Sequence, residues 1–193
     1  MIGLGTIINT AANVSHFAYG DALEKVNVKG VENLIAYAKE HGCSLFHVST
    51  ISVGGISADR QDKRIFSEKN LFIGQDIFNQ YIYTKYLAEY KLLRAAVDDG
   101  LNVKIFRVGN LQGRRSDGEF QMNRKSNAFT RQLMSYLKLE CVPESVYHAE
   151  VNFSPVDETA NNIVALSTTG RNAAVFHVSP KKGAKFEKTK NKK

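Results

Sequence analysis

The sequence predicts an α/β fold, a parallel sheet with helices on both faces. Three observations carry this. Short apolar runs of strand length alternate with longer segments of helical periodicity. Glycines stand where the helical patterns stop. The alternation itself favours strands laid side by side in parallel, with the intervening helices covering the sheet.

The elements follow in order. Residues 5–12 read as a buried strand. Residues 21–39 read as an amphipathic helix, with Leu23, Val26, Leu34, Ile35 and Ala38 on or near one face and Gly42 closing it. Residues 45–48 form the next strand. Residues 54–79 lack periodicity and hold Gly54, Gly55 and many charges, so they predict a long loop over the site. Residues 81–97 predict a helix ended near Gly100, and residues 103–106 a third strand. Residues 108–126, rich in Gly, Arg, Asn and Ser, read as a loop. A helix at 128–137, a short strand at 151–153, a helix at 156–166 and a last strand at 175–178 complete the chain. There are no internal repeats.

Composition fits a soluble intracellular domain. The chain has 193 residues, 43% of them hydrophobic, enough for a real core. No apolar run approaches the roughly 18 residues of a membrane helix, and no basic leader precedes the short apolar run near the N-terminus. Cys43 and Cys141 form no framework or metal spacing, which points to a reducing compartment. The net charge of +7 comes mostly from the end: residues 181–193 carry seven lysines and one glutamate, leaving +1 for the rest. That tail reads as solvated and disordered. With Phe186 as its single aromatic residue, it lacks the folded, aromatic-interleaved basic face of a nucleic-acid binder. The expected organisation is therefore one domain over residues 1–180 and a basic tail over 181–193, with no membrane or nucleic-acid partner.

The residues that speak of chemistry are Thr50, Tyr81 and Lys85. Thr50 lies where the second strand ends; Tyr81 and Lys85 open the long helix. A Tyr and a Lys four apart on a helix share a face. A positive charge beside a phenol favours the phenolate and lowers the pKa. A hydroxyl from a neighbouring strand end would complete a site that grips a carbonyl oxygen and protonates it. The plain alternatives are a helix-surface tyrosine, a solvated lysine and a hydroxyl that caps local backbone. Alternation points Ser49 to the face opposite Thr50. Arg107 suits a phosphate or a carboxylate equally. His16, His47, His148 and His177 show no metal-ligand spacing and take no role.

Several segments occur in one order: Asn9-Thr10-Ala11-Ala12-Asn13, the stretch from Asn27 to Leu34, Val48-Ser49-Thr50, Tyr81 to Lys85, and Arg107-Val108-Gly109-Asn110. In that order the chain resembles the extended short-chain dehydrogenase/reductases. Phe66-Ser67-Glu68, Ile73-Gly74-Gln75, the run Tyr81 to Glu89, and Ser154-Pro155-Val156-Asp157 narrow the likeness. They resemble the thioester reductase domains that terminate nonribosomal peptide synthetases and carboxylic acid reductases. The resemblance covers residues 5–180.

The resemblance implies a Rossmann-like sheet, NADPH (with NADH possible) as cofactor, and a carrier-protein thioester as substrate. It implies reductive release of the acyl or peptidyl chain as an aldehyde or alcohol. Tyr81 matches the family's proton donor and Lys85 the lysine that holds the nicotinamide ribose. Thr50 matches the hydroxyl that bonds the substrate carbonyl. Ala11 and Ala12 match small residues that let cofactor approach the strand end, and Gly109 and Asn110 match a loop at the nicotinamide end. Asn27 matches an organiser of nearby backbone. Val108 departs from the family pattern, which usually has proline there. The chain also lacks G-x-G-x-x-G, since Gly3-Leu4-Gly5 has no third glycine and precedes an apolar run. The expectation is a chain that starts at about the fourth strand of the family fold and lacks the first nucleotide-binding half. Its sheet edge would then be exposed and prone to self-association. The other expectations in view are a nucleotide-sugar epimerase or dehydratase, and a noncatalytic remnant.

Overall fold

The computed structural model describes residues 5–15, 20–55, 65–122, 127–147, 151–180 and 183. The expected basic tail lies almost wholly outside them. The chain divides into two compact units, Met1–Val108 with Asn162–Val178, and Gly109–Asn161 with Ser179–Lys193.

The first unit holds a four-stranded sheet of β1 (Thr6–Asn9), β2 (Ser44–Thr50), β3 (Val103–Val108) and β6 (Ala174–Val178), in the order β1-β2-β3-β6. Every pairing is parallel, as expected; Ile7 lies opposite Leu45, His47 opposite Ile105, and Arg107 opposite His177. Between β1 and β2 runs one helical stretch: α1 (Ala22–Glu24), a π-helical segment (Lys25–Lys29) and α2 (Gly30–His41). Gly42 ends it at φ 64°, the left-handed cap that glycine adopts without a Cβ penalty. A second helix, α3 (Gln80–Asp99), begins where the Asn79 side chain accepts from Ile82 N, and ends at Gly100 with φ 67°.

Strand alternation sorts the two faces of the sheet. Leu45, Val103 and Ile105 turn toward α2 and α3 and join Val31, Ala38, Ala88, Leu92 and Ala95 in one core. Burying Leu45, Leu92 or Ile105 there contributes about 1.5–3 kcal/mol apiece. Phe46, Lys104, Phe106 and Phe176 occupy the other face, with the Phe106 and Phe176 rings stacked 5.8 Å apart. The buried Lys104 ammonium donates to the carbonyls of Leu166, Ser167 and Thr169, at the end of α6 (Val156–Ser167). A cation satisfies the last carbonyls of a helix and opposes its negative end.

The second unit has a short parallel pair, β4 (Asn110–Gln112) and β5 (Phe153–Pro155), with helices α4 (Ala128–Leu139) and α5 (Glu144–Tyr147). Neither β4 nor α5 is foreseen by the sequence pattern, since elements of three and four residues are too short to show a period. The first expected strand is also corrected. β1 stops at Asn9, because the Asn9 side chain accepts from Ala11 N and turns the chain out of the sheet. Ala11 and Ala12 therefore lie in the loop beyond its carboxyl end.

Candidate functional site

Lys85 is the most constrained of the expected site residues. It is 2% exposed on α3. Its Nζ lies 2.9 Å from His47 Nε2 and donates to the Val48 carbonyl at 2.7 Å. Asn9 Nδ2 stands 3.0 Å from the other ring nitrogen, His47 Nδ1. Burial lowers the Lys85 pKa to about 8, against a smaller opposing pull from Glu89. Burial, with the Lys85 charge, also holds His47 well below the usual imidazole range.

Tyr81 sits one turn earlier and is half-buried. The expectation that Lys85 lowers its pKa is corrected: burial pushes the phenol above its usual value. Desolvation of the phenolate outweighs any ammonium effect, because the Lys85 amine is bound against β2. The phenol thus keeps its proton across neutral pH.

Thr50 ends β2. Its Oγ1 accepts from Ser52 N at 3.2 Å and so caps a short 3₁₀ turn, Ile51–Gly54. Accepting that bond leaves the hydroxyl proton available for donation. Ser49 faces the opposite way, as alternation requires, and donates to buried Glu89.

The loop after β1 is pinned by Asn27, which is 1% exposed. Its Oδ1 accepts from Asn13 N at 2.8 Å, and its Nδ2 donates to Asn13 O and to Thr84 Oγ1, each at 3.0 Å. Thr84 in turn donates to Tyr81 O at 2.8 Å. One asparagine thus ties the Ala11–Ala12 loop to the turn that carries Tyr81. Its position in a π-helical segment suits this, since such bulges re-aim one side chain. Over the other side, Gln75 fastens the 71–75 loop. Its Nε2 donates to Val53 O and Leu71 O, while its Oε1 accepts from Ile73 N.

Arg107 does not serve an anion site. It is completely buried against Glu89, Nη2 to Oε2 at 2.8 Å, with its guanidinium 4.5 Å over the Phe66 ring. In the second unit, Gly109 packs where a Cβ would stand 2.6 Å from Ser154 Oγ, so a larger residue would have to displace that side chain. Ser154 Oγ is itself buried with no hydrogen-bond partner among the described residues. Asn110 is exposed at the start of β4. Asp157, part of the Ser-Pro-Val-Asp motif, accepts from Arg115 N and Ser116 N, and the Arg115 bond holds its carboxyl below the usual range.

Sequence reasoning passed over Asn9, His47 and Glu89. A lone histidine in an apolar strand reads as a satisfied core residue, and His47 is one. The available signal was parity: His47 and Ser49 alternate onto the face that α3 covers, where Lys85 and Glu89 stand one turn apart.

Buried Lys85 predicts a pH dependence. The unfolded lysine titrates near 10.5 and the folded one near 8. Between these the unfolded chain binds the extra proton, so stability rises with pH from about 8 to about 10, and the cost below 8 is about 3 kcal/mol. His47 acts in the same sense lower down: its folded pKa lies below 6.5, so stability falls as pH drops under 6.5. Urea midpoints at pH 8, 9 and 10 will climb for the parent and stay level for Lys85→Met. Parallel slopes for the two would sink the assignment.

The described residues of the first unit suit the nicotinamide end of a dinucleotide. Beyond the carboxyl end of β1, where open parallel sheets take ligands, the loop carries the small side chains of Ala11 and Ala12. The Lys85 amine reaches the same end of the sheet, at the Val48 carbonyl. Among the described residues no helix is long and apolar enough to cross a membrane.

The chain is similar to known proteins over most of its length. It is 38% identical to a thiolation-reductase di-domain from an archaeal non-ribosomal peptide synthetase, with a TM-score of 0.83 over 91% of this chain and 38% of that one. It is 38% identical to the reductase domain of the Aureusimine biosynthetic cluster, with a TM-score of 0.80 over 92% of this chain and 47% of that one. A glycine betaine reductase of Emericella nidulans is 26% identical over 178 residues, 89% of this chain and 13% of that protein. The chain thus spans less than half the length of each. The resemblance to thioester reductase domains and the Rossmann-like parallel sheet are both borne out by these similarities. A model of the male sterility protein family, an NAD-binding family, matches residues 3–163, and the chain belongs to that family.

Proposed function

We propose that this chain carries the catalytic part of an NAD(P)H-dependent reductase that releases a carrier-bound acyl or peptidyl thioester as an aldehyde or alcohol. The observation that carries the reading is the assembly around α3. Tyr81 and Lys85 stand one turn apart, and Asn27 and Thr84 tie the Tyr81 turn to the loop beyond β1. The 38% identity to reductase domains of peptide-synthetase systems supports the same chemistry.

NAD(P)H, when bound, would supply a hydride for the thioester carbonyl carbon. Thr50, with its oxygen fixed by Ser52 N, donates its proton in a hydrogen bond to the carbonyl oxygen. Tyr81, protonated at neutral pH, donates the second bond and then transfers its proton to that oxygen, giving a hemithioacetal; its C–S bond then breaks, the hydroxyl proton leaves with the carrier thiol, and the re-formed carbonyl is the aldehyde. Lys85 binds sugar hydroxyls and, when charged, favours the phenolate that remains. Gly109 and Asn110 are proposed to contact the nicotinamide end, and Ala11 and Ala12 to admit the cofactor. A carrier protein bearing a phosphopantetheine thioester is the proposed partner, and the cytoplasm the proposed location; Cys43 and Cys141 are both free thiols.

The test is calorimetry with NADPH on the chain and on a version extended upstream through a Gly-rich loop, followed by an assay with an acyl carrier thioester. Aldehyde formed with loss of NADPH supports the proposal. Binding accompanied by turnover of a nucleotide sugar, with the thioester untouched, would replace it with a sugar-nucleotide enzyme. A folded, extended protein that binds no nucleotide would leave a noncatalytic domain.

A further inference from the structure

Hydrogen-bond direction around Lys85 is fixed from one end. The Ala11 backbone N–H can only donate, and it donates to Asn9 Oδ1 at 3.0 Å. This sets the Asn9 amide, so the donor Nδ2 faces His47 Nδ1 at 3.0 Å. Nδ1 therefore accepts, and the proton of a neutral imidazole resides on Nε2. Nε2–H then faces Lys85 Nζ at 2.9 Å. An ammonium has three donors and no acceptor, so it would set hydrogen against hydrogen there. A neutral amine has a lone pair for the His47 proton and still donates to Val48 O at 2.7 Å. One assignment satisfies the whole row, from Ala11 through Asn9 and His47 to Val48. All three side chains are buried, at 8%, 1% and 2% exposure, so a mismatch would be costly.

We propose that His47, held in its Nε2–H tautomer by Asn9, is a positioning residue that stabilises the neutral form of the Lys85 amine and draws it onto the sheet. Charging the amine breaks this contact and releases Nζ. The titratable and charged groups that act on the Lys85 amine are His47 on β2 and Glu89, one turn on along α3, with the Tyr81 phenol one turn back. Of these, Glu89 favours the ammonium, but its oxygens are already engaged by Arg107 and Ser49. Burial prevails, and the midpoint of release falls near pH 8. The consequence for catalysis rests on the reading of Lys85 proposed above. A nucleotide whose sugar oxygens demand an ammonium would then bind with uptake of a proton above that midpoint.

The test needs neither cofactor nor substrate, so its failure is separate from failure of the proposed reaction. The chain is labelled with ¹⁵N-histidine and ¹³C,¹⁵N-lysine, and Lys85 is assigned by its absence in Lys85→Met. At pH 9 His47 should show a protonated Nε2 and a bare Nδ1, and Lys85 should titrate near pH 8. His47→Phe should move that midpoint upward by about one pH unit, the worth of one lost hydrogen bond to the neutral amine. Asn9→Leu, which unlocks the tautomer, should move it the same way. A protonated Nδ1, or Lys85 titrating with the bulk of the lysines, would overturn the proposal. Should His47→Phe fail to fold, the parent's nitrogen spectrum decides alone.

Discussion

Replacing Glu89 by alanine will destabilise the first unit by about 3–5 kcal/mol, because it strands a guanidinium in the core. Arg107 and Glu89 are both 0% exposed. Glu89 Oε2 accepts from Nε at 3.0 Å and Nη2 at 2.8 Å, while Oε1 accepts from Nε at 3.2 Å and from Ser49 Oγ at 2.5 Å. Arg107 Nη1 donates to Ser67 O at 3.3 Å, and its guanidinium lies over Phe66. The pair joins α3 to β3 and to the loop before α3. With either partner gone, the survivor has no route to water. Replacing both, as Glu89→Met with Arg107→Met, should recover most of the loss, since a buried ion pair roughly balances its own desolvation. Urea denaturation reads both. A single substitution costing under about 1 kcal/mol would show that water reaches the site.

Tyr81→Phe will lower the proposed thioester reduction by a factor of about 10²–10⁴, the usual contribution of a positioned general acid. The phenol is suited to that role because burial keeps it protonated. Thr50→Val will cost about 10²–10³, the worth of one donor to a developing oxyanion. Nucleotide binding should change little for either, so the loss will fall on kcat. Full activity in Tyr81→Phe would remove Tyr81 from the chemistry and leave it a packing residue. If Tyr83 substituted for it, Tyr83→Phe would show the loss instead.

The longer helices and most strands were legible because their signals are local. Gly42 and Gly100 mark helix ends through a left-handed φ that depends only on neighbouring residues. The apolar stripe of α3 repeats every turn, so its length reads directly from the chain. The motif order around Thr50, Tyr81 and Lys85 was legible for the same reason, as was the organising role of Asn27. The end of β1 was misread because Ile7, Ile8, Ala11 and Ala12 look alike by hydropathy. Asn9 ends the strand by bonding Ala11 N, and residue type alone does not report that bond.

Sequence by itself determined the α/β class, the parallel sheet, the family resemblance and the residues that carry it, since these follow from periodicity, turn chemistry and motif order. Tertiary structure decided the state of the charged groups. Arg107 became a partner of Glu89 because β3 and α3 place them together out of water. Tyr81 was shifted up because burial acts on it more strongly than a lysine one turn away. His47 became the partner of Lys85 because strand parity and the α3 contact bring them to 2.9 Å across 38 residues. Ionisation depends on the dielectric and on partners distant in sequence, and only folding assembles either.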